Sequence, residues 1–308
     1  MARLAEFSAR EIAQALKSGR FRLTVSPFTF RIDTRIPELG VGLRQVYADY
    51  PVSLEGGRYD FDLAIRPASP LRHWFRRNAV FALSGQEPFL PMTAEHAHAL
   101  LEWGMNWVIG SQAHQYLILH SAVVEKHGRG VMLAAMSGSG KSTLTAELVM
   151  RGWRLFSDEL AMIDTSPLRL VPFPRPVSLK NQSIELIRQR HPAAVFGPLA
   201  RDTQKGTIAH LRAPQEAVDR GLEAAPPALI IFPRWSAGAP LQVTPVGAGQ
   251  AAMRLIDQSF NYALQGRAGF QRLADLTAMA PAWEMTYASL DEAVEALEDL
   301  VADVAVDG

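Results

Sequence analysis

The stretch VMLAAMSGSGKSTLTAEL, residues 131–148, decides the fold of this 308-residue chain. Its apolar first part has the character of a buried strand, and its last part carries Leu144 and Leu148 at helical spacing. Between them, residues 135–142 follow the phosphate-loop pattern G-x-x-x-x-G-K-[ST], except that Ala135 replaces the first glycine. A strand, a glycine-rich turn and a helix in this order predict an α/β protein with a phosphate-binding loop.

The chemistry of this turn suits a nucleotide. Glycines at 138 and 140 let the backbone curl so that its N–H groups face phosphate oxygens, and the helix that follows directs its positive dipole end at the anion. Lys141 would reach the β- and γ-phosphates, and the Ser142 hydroxyl would bind Mg²⁺. The predicted nucleotide-binding residues are Ser137, Gly138, Ser139, Gly140, Lys141, Ser142 and Thr143. The alternative is a surface turn before an amphipathic helix, but the preceding strand and the apolar helix favour the nucleotide.

Two acids and one histidine flank this motif. Asp158 and Glu159, here called the acidic pair, follow a short strand and stand 17 residues beyond Lys141. Phosphoryl transfer needs a carboxylate for the metal and, when a hydroxyl attacks, a base for its proton. His120 lies 21 residues before Lys141, in an apolar strand. The alternatives are a pair of solvated carboxylates and a histidine buried in the core.

Basic residues are frequent downstream of the acidic pair. A magnesium nucleotide and its transition state need cations beyond a single lysine. The candidate substrate or phosphate contacts are Arg175, Lys180, Lys205 and Arg234. Solvated or structural charges are the alternative for each of them.

Composition excludes several classes of protein. The chain has 31 basic and 31 acidic residues, and a neutral chain lacks the positive excess of a generic nucleic-acid coat. Residues 273–308 hold nine acids and no Lys or Arg, so the preceding part is basic, which suits a polyphosphate ligand. The absence of cysteine excludes disulfides and thiol catalysis. With no apolar run long enough for a membrane span and no secretory signal, we expect a cytoplasmic protein with no membrane partner.

The pattern along the chain predicts two domains, a β-rich N-terminal module with a linking helix over 1–112 and an α/β domain over 113–308. Ser8 and Glu11 have capping-box spacing and predict a first helix over 7–18. Residues 20–66 are expected to form strands, with turns at Gly40 and Gly42 among others. The stretch 192–227 is expected to be irregular, and a last helix near 289–304 is expected to dock by its apolar stripe.

The motifs together resemble the kinase domain of HPr kinase/phosphorylase and its relatives. The shared segments are HSAVVEKHGRGVML, SGSGKST, LTAELVMRGWRL and SDE, within about 120–165. The resemblance implies a phosphoenolpyruvate carboxykinase-like P-loop kinase core. It also implies that Asp158 is the base toward the substrate hydroxyl, that Glu159 helps to hold the metal, and that His120 supports the catalytic acid.

The chain is more specifically similar to the HPr kinase-related kinase A group, through PRPVSLKN, DTQKGTIAHL, IFPR and FNYALQGRAGF. That group is linked to gene clusters for modified peptides, which implies a peptide acceptor. Two departures limit what carries over. The family's Glu/Arg-Gly signature is not apparent downstream of the acidic pair, so phosphorolysis is not implied. The first 110 residues are not obviously similar either, so HPr itself is not implied as the substrate.

The leading hypothesis is an ATP- and Mg²⁺-dependent kinase that phosphorylates a Ser or Thr hydroxyl of a peptide or protein, with Asp158, His120 and Lys141 as its catalytic residues. A small-molecule kinase acting on a sugar or metabolite, and a nucleotide-binding regulator without transfer activity, are the alternatives. A homo-oligomer is compatible with the sequence, whereas a nucleic-acid partner is not favoured.

Overall fold

The computed structural model describes residues 2–68, 77–136, 138–165 and 167–306. The chain divides into two compact units. The first contains Met1–Ile109 and Ser178–Asp219, and the second contains Gly110–Val177 and Arg220–Gly308. The first unit thus includes a stretch that the sequence-based division assigns to the C-terminal domain.

Helices and groups of strands are interspersed along the chain in a mixed α/β arrangement. The strands are β1 (Ala2–Arg3), β2 (Arg22–Val25), β3 (Phe28–Thr34), β4 (Pro51–Ser53), β5 (Phe61–Pro67), β6 (Asn78–Leu83), β7 (Met92–Thr93), β8 (Leu117–Leu119), β9 (Ser121–Lys126), β10 (Arg129–Ala134), β11 (Arg154–Ser157), β12 (Ala161–Thr165), β13 (Leu168–Val171), β14 (Val177–Lys180), β15 (Ala200–Thr203), β16 (Gly206–Leu211), β17 (Pro227–Trp235), β18 (Gln242–Val246) and β19 (Ala282–Tyr287). The helices are α1 (Ala9–Lys17), α2 (Pro37–Val46), α3 (Ala97–Gln112), α4 (Lys141–Met150), α5 (Gln182–Arg190), α6 (Gln215–Asp219), α7 (Ala248–Ile256), α8 (Tyr262–Met279) and α9 (Leu290–Val306), with 3-10 turns at Leu4–Glu6 and Ala94–His96.

The first unit is built on a sheet whose described strands have the order β1-β4-β2-β3-β5-β6-β7. Its first helix begins as the capping-box spacing predicts. The Ser8 hydroxyl accepts a hydrogen bond from the Glu11 backbone N–H, and the Glu11 carboxylate accepts one from the Ser8 N–H. The Ser8 hydroxyl also donates to the Glu11 carboxylate at 2.6 Å, and this bond, followed by that from the Ser8 N–H, holds the pKa of Glu11 below its usual value. The helix buries its predicted apolar face, Ile12, Ala15 and Leu16.

The expectation of strands throughout 20–66 is wrong at α2, which lies where turns at Gly40 and Gly42 are expected. Pro37 occupies the first turn, where its missing N–H costs nothing. A Cβ at Gly42 would lie 2.7 Å from Cγ of His98. This glycine is therefore required by a close tertiary contact inside a helix, a reason that composition does not reveal.

The expectation of an irregular 192–227 is also wrong, because β15 and β16 form an antiparallel hairpin there and α6 follows. The Thr203 hydroxyl donates to the Gly206 carbonyl oxygen at 2.6 Å and closes the turn. Gly206 has a φ of +83°, which favours glycine. Together with β14 these strands form a second sheet of order β14-β16-β15.

The second unit is built on a sheet whose described strands have the order β11-β9-β10-β17-β19-β18. Strand β18, which the sequence pattern did not indicate, contains Pro245. It lies at the end of the sheet, where a residue without an N–H is tolerated. A separate sheet has the order β13-β12-β8. The core between these elements includes Phe156, Ile230 and Leu276, each fully buried.

The acidic C-terminal segment is a docked helix, as its apolar stripe predicts. Helix α9 buries Ala293, Val294, Leu297 and Val301. The Arg151 guanidinium, at the end of α4, forms an ion pair with Asp291 in the first turn of α9. The helix that follows the glycine-rich turn is thus supported by the C-terminal helix.

Candidate active site

One edge of the main sheet of the second unit collects the predicted site. Strands β10, β17 and β19 are parallel. Strand β9 is antiparallel to both β10 and β11, so β11 runs in the same direction as β10. The carboxyl ends of these four strands therefore lie at one edge. In strand order, that edge carries the acidic pair, the phosphate loop (residues 135–140), Trp235 and Tyr287.

The phosphate loop has a backbone that only glycine adopts easily. Gly138 and Gly140 have φ values of +91° and +90°. A Cβ at Gly140 would lie 2.8 Å from Cβ of Trp235 and 3.1 Å from Oη of Tyr287, so these two side chains leave no room for one. The Trp235 N–H donates to the Ser139 carbonyl oxygen at 2.8 Å. Trp235 and Tyr287, at the ends of β17 and β19, thus hold the phosphate loop in place by packing against Gly140.

The remaining loop predictions fall at the start of α4. Ser142 and Thr143 are half-buried in its first turn, which begins at Lys141. The hydroxyl oxygen of Ser139 is buried and has no hydrogen-bond partner among the described residues. The predicted contact Ser137 lies outside the described residues. A curled backbone, a helix N-terminus and an unused loop hydroxyl fit a polyphosphate.

The lysine of the motif is buried and directed at the acidic pair. Only 7% of Lys141 is exposed, and its Nζ donates to the backbone carbonyl oxygen of Asp158 at 3.0 Å. Asp158 is buried and Glu159 is half-buried. The Ser157 hydroxyl accepts a hydrogen bond from the Leu160 N–H at 3.0 Å and forms the turn that carries the pair. The structure therefore brings Lys141 and the acidic pair together.

His120 interrupts what the sequence suggests is one long strand, since β8 and β9 belong to different sheets. The His120 N–H donates to the Gln258 carbonyl oxygen at 2.7 Å. Its ring lies edge-on to that of Phe260, with 6.0 Å between ring centroids. His120 is half-buried just after β8, so it does not lie within the hydrophobic core.

The strand registers place His120 and the acidic pair in opposed segments of the backbone. Val123 pairs with Ser157 on one side of the interruption, and Leu119 pairs with Ala161 on the other. The two ladders have the same antiparallel register. The three residues between the pairs on one segment, 120–122, therefore run alongside the three on the other, 158–160. His120 and the acidic pair belong to these opposed segments. The support of the catalytic acid by His120, which the family resemblance implies, remains a prediction.

Three residues of this region were missed by the sequence reasoning. Ser121 pairs with Ala134, the last residue of β10, so it lies between the loop and the acidic pair. It is fully buried, and its hydroxyl has no hydrogen-bond partner among the described residues. The other two are Trp235 and Tyr287, which support the loop. The only signal in the sequence is that Ser121 adjoins His120 and that both aromatic residues end apolar strands.

Two of the four predicted cations belong to the second unit. The Phe173 N–H donates to the Phe156 carbonyl oxygen, which brings Arg175 to the end of β11. Arg175 is buried, with its guanidinium carbon 5.2 Å from the Phe173 ring centroid. Arg234 is exposed near the end of β17.

The other two cations belong to the first unit. Lys180 is half-buried at the end of β14. Lys205 is in the turn between β15 and β16, with its Nζ 5.6 Å from the Trp103 ring centroid. Both roles remain predictions.

The oxygen ligands available here suit Mg²⁺, which is commonly held by one or two carboxylates together with substrate phosphates. Glu159 and the Ser142 hydroxyl would be those ligands. Within the described residues, no group of three or more His, Asp or Glu has the arrangement of a metal site made by protein alone. Among those same residues, no helix has the length and hydropathy needed to span a membrane.

Comparison with known proteins links part of this chain to one family. No family model matches the chain. The HPr kinase/phosphorylase of Streptococcus thermophilus is 39% identical over 59 residues, which is 19% of either chain. That of Prosthecochloris aestuarii is 41% identical over 56 residues, 18% of this chain and 16% of the relative.

The structure of the Hpr(Ser) kinase/phosphatase from Coxiella burnetii aligns over 62% of this chain and 97% of its own, with 12% identity and a TM-score of 0.28, a score too low to establish a common fold. The sequence matches span less than a fifth of the length of the relatives. Over that fraction, the chain is homologous to HPr kinase/phosphorylases.

Proposed function

We propose that the second unit is an ATP- and Mg²⁺-dependent phosphotransferase with a hydroxyl acceptor, on a phosphoenolpyruvate carboxykinase-like P-loop core. The observation that carries the proposal is the hydrogen bond from Lys141 Nζ to the Asp158 carbonyl oxygen. It joins the lysine of the phosphate loop to the backbone of Asp158, the residue that carries the buried carboxylate.

Each residue has a defined task in this reaction. The loop amides and Lys141 bind the β- and γ-phosphates, where negative charge must be stabilised. Glu159 and Ser142 hold Mg²⁺, which neutralises phosphate charge when bound. Asp158 accepts the proton of the attacking hydroxyl, and His120 keeps its carboxylate in position. The acceptor oxygen bonds to the γ-phosphorus, the bond from that phosphorus to the bridging oxygen breaks, and ADP leaves.

The acceptor in this proposal is a Ser or Thr hydroxyl of a peptide or protein. Partial homology to HPr kinase/phosphorylases supports a protein-type acceptor. The resemblance to the HPr kinase-related kinase A group favours a modified peptide. A cytoplasmic location follows from the need for ATP. Arg175 and Arg234 are proposed to contact phosphate from the neighbouring strand ends.

The test is transfer of label from ATP, labelled on its γ-phosphate, to peptides, proteins and metabolite pools. The parent protein should label a peptide or protein. Asp158→Asn should transfer at least about 100-fold more slowly, as expected for loss of a general base, while still binding ATP. Asp257→Asn, at an exposed acid of the same unit, is the control and should transfer normally.

Other outcomes would select the alternatives. Labelling of metabolites alone would replace the protein acceptor by a small molecule. ATP binding without transfer to any acceptor would make the protein a nucleotide-dependent regulator. Equal transfer rates for Asp158→Asn and the parent would refute the assignment of the base.

A further inference from the structure

Trp235 presents an exposed ring beside the phosphate loop, in an orientation that its own hydrogen bonds fix. Its N–H donates to the Ser139 carbonyl oxygen at 2.8 Å. Its indole Nε1–H donates to the Ala288 carbonyl oxygen at 3.1 Å. The side chain is nevertheless 50% exposed. A large aromatic surface is thus open to solvent on a rigid support.

The order of strands places this ring on the side of the loop away from the acidic pair. Lys141 directs its Nζ toward the end of β11, so the terminal phosphates of a bound nucleotide lie on that side. Trp235 ends β17, on the opposite side of β10. Strands β11 and β17 are three spacings apart, about 14 Å at the usual strand separation. The phosphates, ribose and base of a nucleotide follow one another in a flexible chain, so a base on the other side of the loop can reach the end of β17.

We propose that the indole of Trp235 is the platform on which the base of the bound nucleotide stacks. The inference rests on the proposed function, because it assumes that the loop binds a nucleoside triphosphate. Stacking on an aromatic ring tolerates any base, since each has a π face. The indole N–H is engaged by Ala288 and cannot donate to the base. The ring therefore supplies affinity without choosing between adenine and guanine.

The ring of Trp235 can be removed by substitution without removing the contacts that its backbone and Cβ make with the loop. In Trp235→Ala, the backbone N–H that binds Ser139 and the Cβ that packs against Gly140 are both kept. The change removes only the ring and its bond to Ala288. Trp235→Phe restores a stacking surface without the N–H. Phe270→Ala removes another exposed aromatic ring, on α8 of the same unit, and is the matched control.

Calorimetric titrations of the full chain with ATP, GTP and inorganic tripolyphosphate, all with Mg²⁺, test the proposal. In Trp235→Ala, the Kd for ATP and for GTP should rise about ten- to a hundredfold, the range of base–aromatic stacking. The Kd for tripolyphosphate should stay unchanged. Trp235→Phe should retain most of the affinity, and Phe270→Ala should bind all three ligands as the parent does.

Two results would overturn the proposal. If Trp235→Ala weakens ATP and tripolyphosphate equally, the ring supports the loop and does not contact the base. If it weakens neither, the ring has no part in binding. Melting curves identify any variant that fails to fold, in which case Trp235→Phe and Trp235→Leu, which differ in stacking, replace it.

The failure of this inference is distinguishable from that of the proposed function. A parent protein that binds ATP through Trp235 but transfers no phosphoryl group refutes only the kinase activity. A parent that transfers phosphate while Trp235→Ala binds ATP normally refutes only the stacking. A parent that binds neither ATP nor tripolyphosphate refutes both.

Discussion

Lys141 and Asp158 are joined by a hydrogen bond from Nζ to the backbone carbonyl oxygen, 3.0 Å long and buried. The lysine follows β10 and the aspartate follows β11, so the bond links two strand ends across β9. The bond thus holds the ammonium group of the phosphate-loop lysine beside the backbone of the acidic pair.

The first prediction concerns Lys141→Met. Methionine fills a similar volume without charge, so the fold should persist, with a moderate loss of stability because the Asp158 carbonyl loses its donor. The Kd for ATP should rise at least about tenfold, since a buried charged hydrogen bond to phosphate is lost. Calorimetry and thermal melting measure the two effects.

The matched control for that change is Lys126→Met, at a half-buried lysine on β9 whose Nζ lies 5.9 Å from the Trp153 ring centroid. It also removes one positive charge from the second unit. It should bind ATP as the parent does. An unchanged ATP affinity in Lys141→Met would contradict the assigned role.

The two loop glycines allow a prediction that separates strain from collision. Gly138 and Gly140 have nearly the same positive φ, so alanine is strained to a similar extent at each, by about 1 kcal/mol. A Cβ at Gly138 meets nothing within 4 Å, whereas one at Gly140 meets Trp235. Gly140→Ala should therefore lower the Tm more than Gly138→Ala and weaken ATP binding more. Equal effects would show that Trp235 does not confine the loop.

Local signals in the sequence were sufficient for the elements that depend on neighbouring residues. The capping box of Ser8 and Glu11 predicted α1, and the strand, loop and helix around Gly140 predicted the phosphate loop. Both depend on hydrogen bonds and dihedral angles within a few residues. The docked C-terminal helix followed equally from one apolar stripe.

The sequence patterns did not predict features that depend on contacts between residues far apart along the chain. As a glycine, Gly42 suggests a turn when only the sequence is considered. In the structure it lies within a helix and makes room for His98. Ser121 becomes a candidate only once the registers of β9 with β10 and β11 are known. Trp235 and Tyr287 are 52 residues apart and meet because β17 and β19 pair in register. No periodicity within a strand carries that information.

The docking of α9 leads to a prediction about stability. Leu297 is fully buried in the stripe that packs this helix. Leu297→Ala should cost about 2–5 kcal/mol, as large-to-small changes in a core do. Glu298→Ala, at the next and exposed position, should change stability little. Denaturant unfolding compares them, and a Leu297→Ala protein as stable as the parent would refute docking.

Tyr287 carries the last prediction, because its hydroxyl is buried against Gly140 with no hydrogen-bond partner among the described residues. Burial raises its pKa above the usual value for tyrosine. Below pH 10 both folded and unfolded chains keep this proton, so the group adds no pH dependence there. Above pH 10 the unfolded chain releases the proton and the folded chain retains it. Stability contributed by the protonated group is therefore lost as the pH rises, by up to about 1.4 kcal/mol per pH unit.

Tyr287→Phe removes this titration and an unsatisfied buried hydroxyl. The variant should be at least as stable as the parent at pH 7, since deleting an unpaired buried polar group relieves its desolvation cost. Between pH 10 and about 11 it should lose less stability than the parent. Tyr59→Phe, at an exposed tyrosine, is the control and should follow the parent profile. Urea unfolding at a series of pH values measures all three proteins, and parallel alkaline profiles for Tyr287→Phe and the parent would show that Tyr287 does not keep its proton in the folded state.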